Sequence, residues 1–177
     1  MINALYLDGF LLALVLSACL QDLAARKIPN RLVLSGLFSA GVLHLVSATP
    51  FQFISVGLAG CAVGLLIFLP LYLLRGMAAG DVKLMAMVGA FTGPMLALEI
   101  ALATFCAGGV MALVMVVKQG RWRDFLTNMW ILLRPLCMRA VGMPSVREPL
   151  PTGSVGGMPY GVAIAAATCL MLWIRHG

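Results

Sequence analysis

The chain has 177 residues, 62% of them hydrophobic and 10% charged, with a mean hydropathy of +1.04. A soluble domain carries roughly 25% charged residues, so this composition excludes an ordinary soluble fold and describes an integral membrane protein long enough for one compact bundle of spans. The net charge of +6 does not describe a nucleic-acid binder, because the basic residues border apolar runs instead of forming a face interleaved with aromatics. The five cysteines, Cys19, Cys61, Cys106, Cys137 and Cys169, make no CxxC pair or Cys/His cluster. Neither a disulfide framework nor a zinc site is implied, and neither a metal nor a cofactor is expected.

In chain order, the apolar run 4–20 has nearly the length of about 20 residues that a spanning helix needs. Its Leu16-Ser17-Ala18-Cys19 also fits a lipoprotein cleavage box, but no Lys or Arg precedes Arg26, whereas a signal peptide starts positive. The polar stretch from Gln21 to Arg31 follows, with a turn expected at Ile28-Pro29 and Pro29 opening the next helix. Residues 32–48 form the second expected span and 51–74 the third, whose Gly57, Gly60 and Gly64 are spaced to let another helix backbone approach. The short fourth, 82–92, follows Gly76-Met77-Ala78-Ala79-Gly80-Asp81 and is stopped by Gly93-Pro94. The fifth, 95–117, leads into a basic loop over 118–158, whose middle, Phe125 to Met138, suits an interfacial position. Pro159-Tyr160-Gly161 opens the sixth span, 160–174. The expectation is an all-α polytopic protein, a single membrane-embedded domain of six transmembrane helices.

Six spans place alternate connections on one side of the membrane. The connections after spans one, three and five, with Lys83 at the head of span four, hold eleven of the twelve basic residues, leaving only Arg175 for the other side. The positive-inside rule then puts both termini outside and these connections in the cytoplasm. The same parity brings Asp22, at the foot of span one, and Asp81, at the head of span four, to one cytoplasmic edge. Asp8 and Glu99 belong to the outer ends of spans one and five, and His44 reads as a polar residue near the outer end of span two.

Two aspartates a few ångströms apart do not both ionise cheaply, so one keeps its proton while the other stays charged. The charged one can take a proton from water attacking a peptide carbonyl while the protonated one polarises that carbonyl. Simpler readings stand beside this one. Asp22 at i,i+4 from Arg26 suits a helix ion pair, Asp81 after a glycine turn suits a helix N-cap worth about 1 kcal/mol, and Lys83 suits a positive-inside anchor. A transporter or channel with Asp22 and Asp81 lining a polar pathway is the alternative function, although no matched halves with two broken helices are visible.

Asp22 with Arg26-Lys27-Ile28-Pro29-Asn30-Arg31-Leu32, then Gly76 to Leu84 with Gly80-Asp81-Val82-Lys83, then Pro159-Tyr160-Gly161, together resemble the prepilin leader peptidase family, membrane aspartic proteases of the GxGD class. The resemblance implies that Asp22 and Asp81 are the catalytic pair, and that Gly80, Lys83, Pro29, Asn30 and Tyr160 bind substrate or shape the site. It implies a pilin or pseudopilin precursor as substrate, cut after a short basic leader at the cytoplasmic face of a bacterial inner membrane. Two departures matter. Ala78 stands where the motif has its first glycine, which removes access to positive φ, and the paired CxxC motifs of larger members are missing. The latter resembles the short, peptidase-only branch of tight-adherence (Flp) pili, without methyltransferase activity. Other GxGD proteases of the presenilin or signal-peptide-peptidase kind carry YD and PAL motifs, which this chain lacks.

Overall fold

The computed structural model describes residues 4–47, 53–73, 76–120, 122–123, 126–127, 130 and 160–176. Among the described residues the structure is helical throughout: α1 (Ala4–Ala25), α2 (Asn30–Ser47), a π-helical turn (Phe53–Leu58) running into α3 (Ala59–Leu73), α4 (Ala79–Thr92), α5 (Pro94–Gln119) and α6 (Tyr160–His176). Three stretches are long and apolar enough to cross a membrane, Leu7–Ala25, Ser55–Leu73 and Pro94–Gln119. Large apolar side chains including Leu20, Phe38, Val46, Leu73 and Trp173 lie on the exterior, as expected of a surface that meets lipid rather than water.

The chain divides into two units, Met1–Gly108 with Pro159–Gly177, and Gly109–Met158. Of the second, the structure describes the end of α5, the turn at Gly120 with φ 63° and helical backbone at 122–123, 126–127 and 130. Most of the expected interfacial segment 125–138 and the rest of the loop to 158 lie outside the described residues.

The first unit is built around α4. A helix that is apolar on every side belongs inside a bundle, and Val82 and Leu84 through Phe91 are all buried. Helices α1, α2, α3 and α6 all pack on it. Membrane helices gain little from hydrophobic exclusion and depend on close packing of small residues. The α3–α4 contact shows how close: a Cβ on Gly60 would run into the Gly89 carbonyl, and one on Gly64 into the Met85 carbonyl. At the far end of α4, Gly93 takes φ 83° and donates its N–H to the Gly89 carbonyl at 2.9 Å, and Pro94 opens α5.

Several boundaries differ from expectation. Helix α1 runs on to Ala25, because Leu23-Ala24-Ala25 are good helix formers, so Asp22 sits in its last turn and not in the polar loop beyond it. The expected span 51–74 is interrupted by the π turn, for which the sequence offers no local signal. Helix α4 begins three residues before Val82, for a reason given with the site below.

Two polar residues assigned to the outer interface are buried. His44 reaches α4, its ring Nε2 2.9 Å from the Ala90 carbonyl; a carbonyl only accepts, so Nε2 carries the proton. Ala90 supplies one of the last carbonyls of α4, which lack intrahelical donors. His44→Ala is therefore expected to destabilise the protein by about 1–3 kcal/mol, the cost of an orphaned buried acceptor, read as a lower denaturant midpoint in detergent. Asp8 of α1 is buried against the end of α6, 2.7 Å from His176 Nε2 and 3.9 Å from an Arg175 guanidinium nitrogen. Glu99 is exposed.

Candidate active site

At the opposite end from Asp8, the closing turn of α1 and the opening turns of α2, α4 and α6 meet. Helix α1 ends where Arg26, with φ 51°, enters the left-handed region, which costs a non-glycine residue about 1–2 kcal/mol. Its N–H still donates to the Asp22 carbonyl at 2.8 Å. The chain then turns through 27–29, and the Pro29 carbonyl accepts from Leu32 and Val33 at 3.1 and 3.4 Å, starting α2. Pro29 thus opens the helix from just outside it, in keeping with its fixed φ and missing N–H.

Asp81 is the third residue of α4, and its Oδ2 accepts the Ala78 N–H at 3.2 Å. This carboxylate reaches back over the first turn in the manner of half a capping box, folding Ala79 and Gly80 into the helix. The N-cap reading of Asp81 is thereby corrected: Ala78 occupies that position. Ala78 has φ −81° and ψ 153°, extended torsions that any residue adopts, so nothing in its backbone needs the motif glycine. Ala78→Gly is expected to lower stability by about 0.4–1 kcal/mol through the larger entropy of the unfolded chain; a requirement for positive φ would reverse that sign in a thermal melt.

Asp22 and Asp81 are both buried, 6% and 4% exposed, and line one cavity of about 320 Å³. They lie within electrostatic reach of each other. Asp22 is held by its Oδ2, which accepts the Gly161 N–H of α6 at 2.9 Å. The ion-pair reading of Asp22 is not realised: among the described residues, the ion pairs all fall on Asp8. Arg26, Lys27, Asn30 and Lys83 are exposed and line the same cavity, so two buried carboxylates sit beneath a rim of cations.

Of the other expected site residues, Asn30, Gly80 and Lys83 line this cavity, whereas Pro29 and Tyr160 are not among its lining residues. Lys83 Nζ donates to Asn30 Oδ1 at 3.1 Å, tying α4 to the start of α2. Gly80 leaves room for Ile28, whose Cβ a side chain there would meet at 3.2 Å. Tyr160 lies within electrostatic reach of Asp81, with its ring seated over Gly108 of α5. Sequence reasoning missed the Ala78 and Gly161 N–H groups as partners of the two carboxylates; the available signal was a glycine directly after the first residue of a helix. No group of three or more His, Cys, Asp or Glu able to hold a metal is found among the described residues.

The arrangement is that of a membrane-type helical protein that buries two carboxylates in one cavity bordered by polar side chains. The model of the type IV leader peptidase family matches residues 9–113, more than half of the chain and a stretch containing both aspartates, and the chain belongs to this family of proteases. No curated protein and no solved structure matches it.

Proposed function

We propose that this protein is an aspartic endopeptidase that removes the short basic leader of pilin or pseudopilin precursors at the cytoplasmic face of a bacterial inner membrane, with Asp22 and Asp81 as its catalytic dyad. The observation that carries the reading is the meeting of two buried carboxylates, from α1 and α4, in one cavity of a leader-peptidase chain. Two carboxylates facing one buried cavity disfavour the doubly ionised state, so one takes the ionised role and the other the protonated one. The ionised member draws a proton from water as the water attacks the peptide carbonyl. The protonated member donates to the carbonyl oxygen, and the proton taken from water later goes to the leaving amine. No covalent intermediate is needed.

In this reading the six helices serve as six spans with both termini outside. What supports the orientation is charge: Arg26, Lys27, Arg31 and Lys83 gather at the aspartate end, whereas Arg175 faces Asp8 at the other. Gly80, Pro29, Asn30 and Lys83 shape the entrance, since they fix how the α1–α2 turn meets α4, and Tyr160 stands beside Asp81. The missing CxxC pairs favour the peptidase-only branch that serves Flp-type pili. Co-expression with pilin precursors encoded in the same genome tests this: a precursor whose mass falls by its leader supports the proposal, and precursors that all stay full length in the presence of the membrane-inserted protein refute it.

A further inference from the structure

We propose that Gly161 is a positioning residue for Asp22, so that the first turn of α6 completes a site otherwise built by α1 and α4; this rests on the dyad reading above. The first N–H groups of a helix have no intrahelical acceptor. Because α6 begins at Tyr160, the Gly161 N–H is one of these, and it donates to Asp22 Oδ2 at 2.9 Å in a buried position. One carboxylate oxygen held in this way stops the group from rotating and leaves Oδ1 as the oxygen free to exchange a proton with water. A side chain at 161 has no space. A Cβ there would stand 2.8 Å from Oδ2, 3.0 Å from Asp22 Cβ and 3.2 Å from its Cγ, so even a methyl group displaces the whole carboxylate.

Backbone torsion is not the reason for this glycine, since the positive-φ glycines among the described residues are Gly93 and Gly120. The requirement is closeness to Asp22. The preceding residue anchors the same turn from the other side: a Cβ on Gly108 would meet the Tyr160 ring at 3.0 Å, and Tyr160 also neighbours Asp81. The matched family region ends at residue 113, so this contact comes from a part of the chain that the match does not reach.

The test is Gly161→Ala in purified protein assayed on a pilin precursor. A misplaced reacting group costs catalysis on the order of 10²-fold, so the expected result is a fall in kcat per folded molecule of at least about thirtyfold, with KM essentially unchanged. An unchanged kcat per folded molecule, with or without a lower midpoint, overturns the proposal. A second measurement needs neither substrate nor a folded Gly161 variant: amide hydrogen exchange in Asp22→Ala. The Gly161 amide, which has lost its acceptor, is expected to exchange at least about tenfold faster than in the wild type, while the interior amides of α6, at Ile164 and Thr168, keep their protection. Unaltered exchange at Gly161 overturns the proposal. Faster exchange in a protein whose wild type cleaves no precursor leaves the contact standing and overturns the peptidase reading alone.

Discussion

Asp22→Asn and Asp81→Asn are each expected to lower precursor cleavage by about 10³-fold or more while the protein stays folded in the membrane. General acid–base catalysis by a positioned group contributes about 10²–10⁴-fold, and under the proposed mechanism either substitution removes more than one group's share, because each carboxylate acts only with the other. Asparagine keeps the shape of aspartate but neither accepts a proton from water nor delivers one to the carbonyl oxygen. The hydrogen bonds that hold the two side chains survive in part, since an amide oxygen still accepts from Gly161 N–H or Ala78 N–H. Stability therefore changes little. The double variant is expected to be no slower than the slower single one, because groups that act as a unit are not additive. Rates from purified single and double variants, compared at equal amounts of folded protein, check this.

Gly60→Val is expected to have the largest structural effect. Its Cβ would collide with the Gly89 carbonyl and stand 2.8 Å from Gly93 Cα. These are backbone atoms of a buried helix, which no rotamer change moves aside. The helices must separate, opening the α3–α4 seam along its length, from Gly60 at one end to Gly64 against Met85 at the other. Overpacking a close-packed interior costs about 1–3 kcal/mol, and separation of two backbones belongs at or above the top of that range. The loss reads as a fall in the denaturant midpoint in detergent. Cleavage should decline with it, because α4 carries Asp81 at its other end.

How far the sequence discloses this molecule depends on how local each feature is. The close approach at Gly60 and Gly64 was legible because small residues four apart lie on one helix face. The meeting of Asp22 with Asp81 was legible through parity, a rule that spans the whole chain. Contacts between residues distant in sequence with no such rule were not: His44 with Ala90, Asp8 with His176 and Gly161 with Asp22 are 46, 168 and 139 positions apart, and nothing in their own neighbourhoods names the partner. His44 and Asp8 read as interface residues because polarity near a helix end usually means water, whereas here each has a buried partner. The torsion at Ala78 was not legible for a different reason. A motif records which residue stands at a position but not the torsion it adopts, and φ of −81° asks for no glycine.

Mass spectrometry of one purified reaction tests whether Asp22 and Asp81 together cut a pilin precursor. Wild-type protein in lipid nanodiscs is incubated with a precursor bearing a short basic leader, beside Asp22→Asn and Asp81→Asn at the same folded concentration. The expected product is lighter by the leader, with its new amino terminus where the basic leader ends, in the wild-type reaction alone. Equal product from either variant, or a wild-type cut at a bond elsewhere in the precursor, would contradict the proposal.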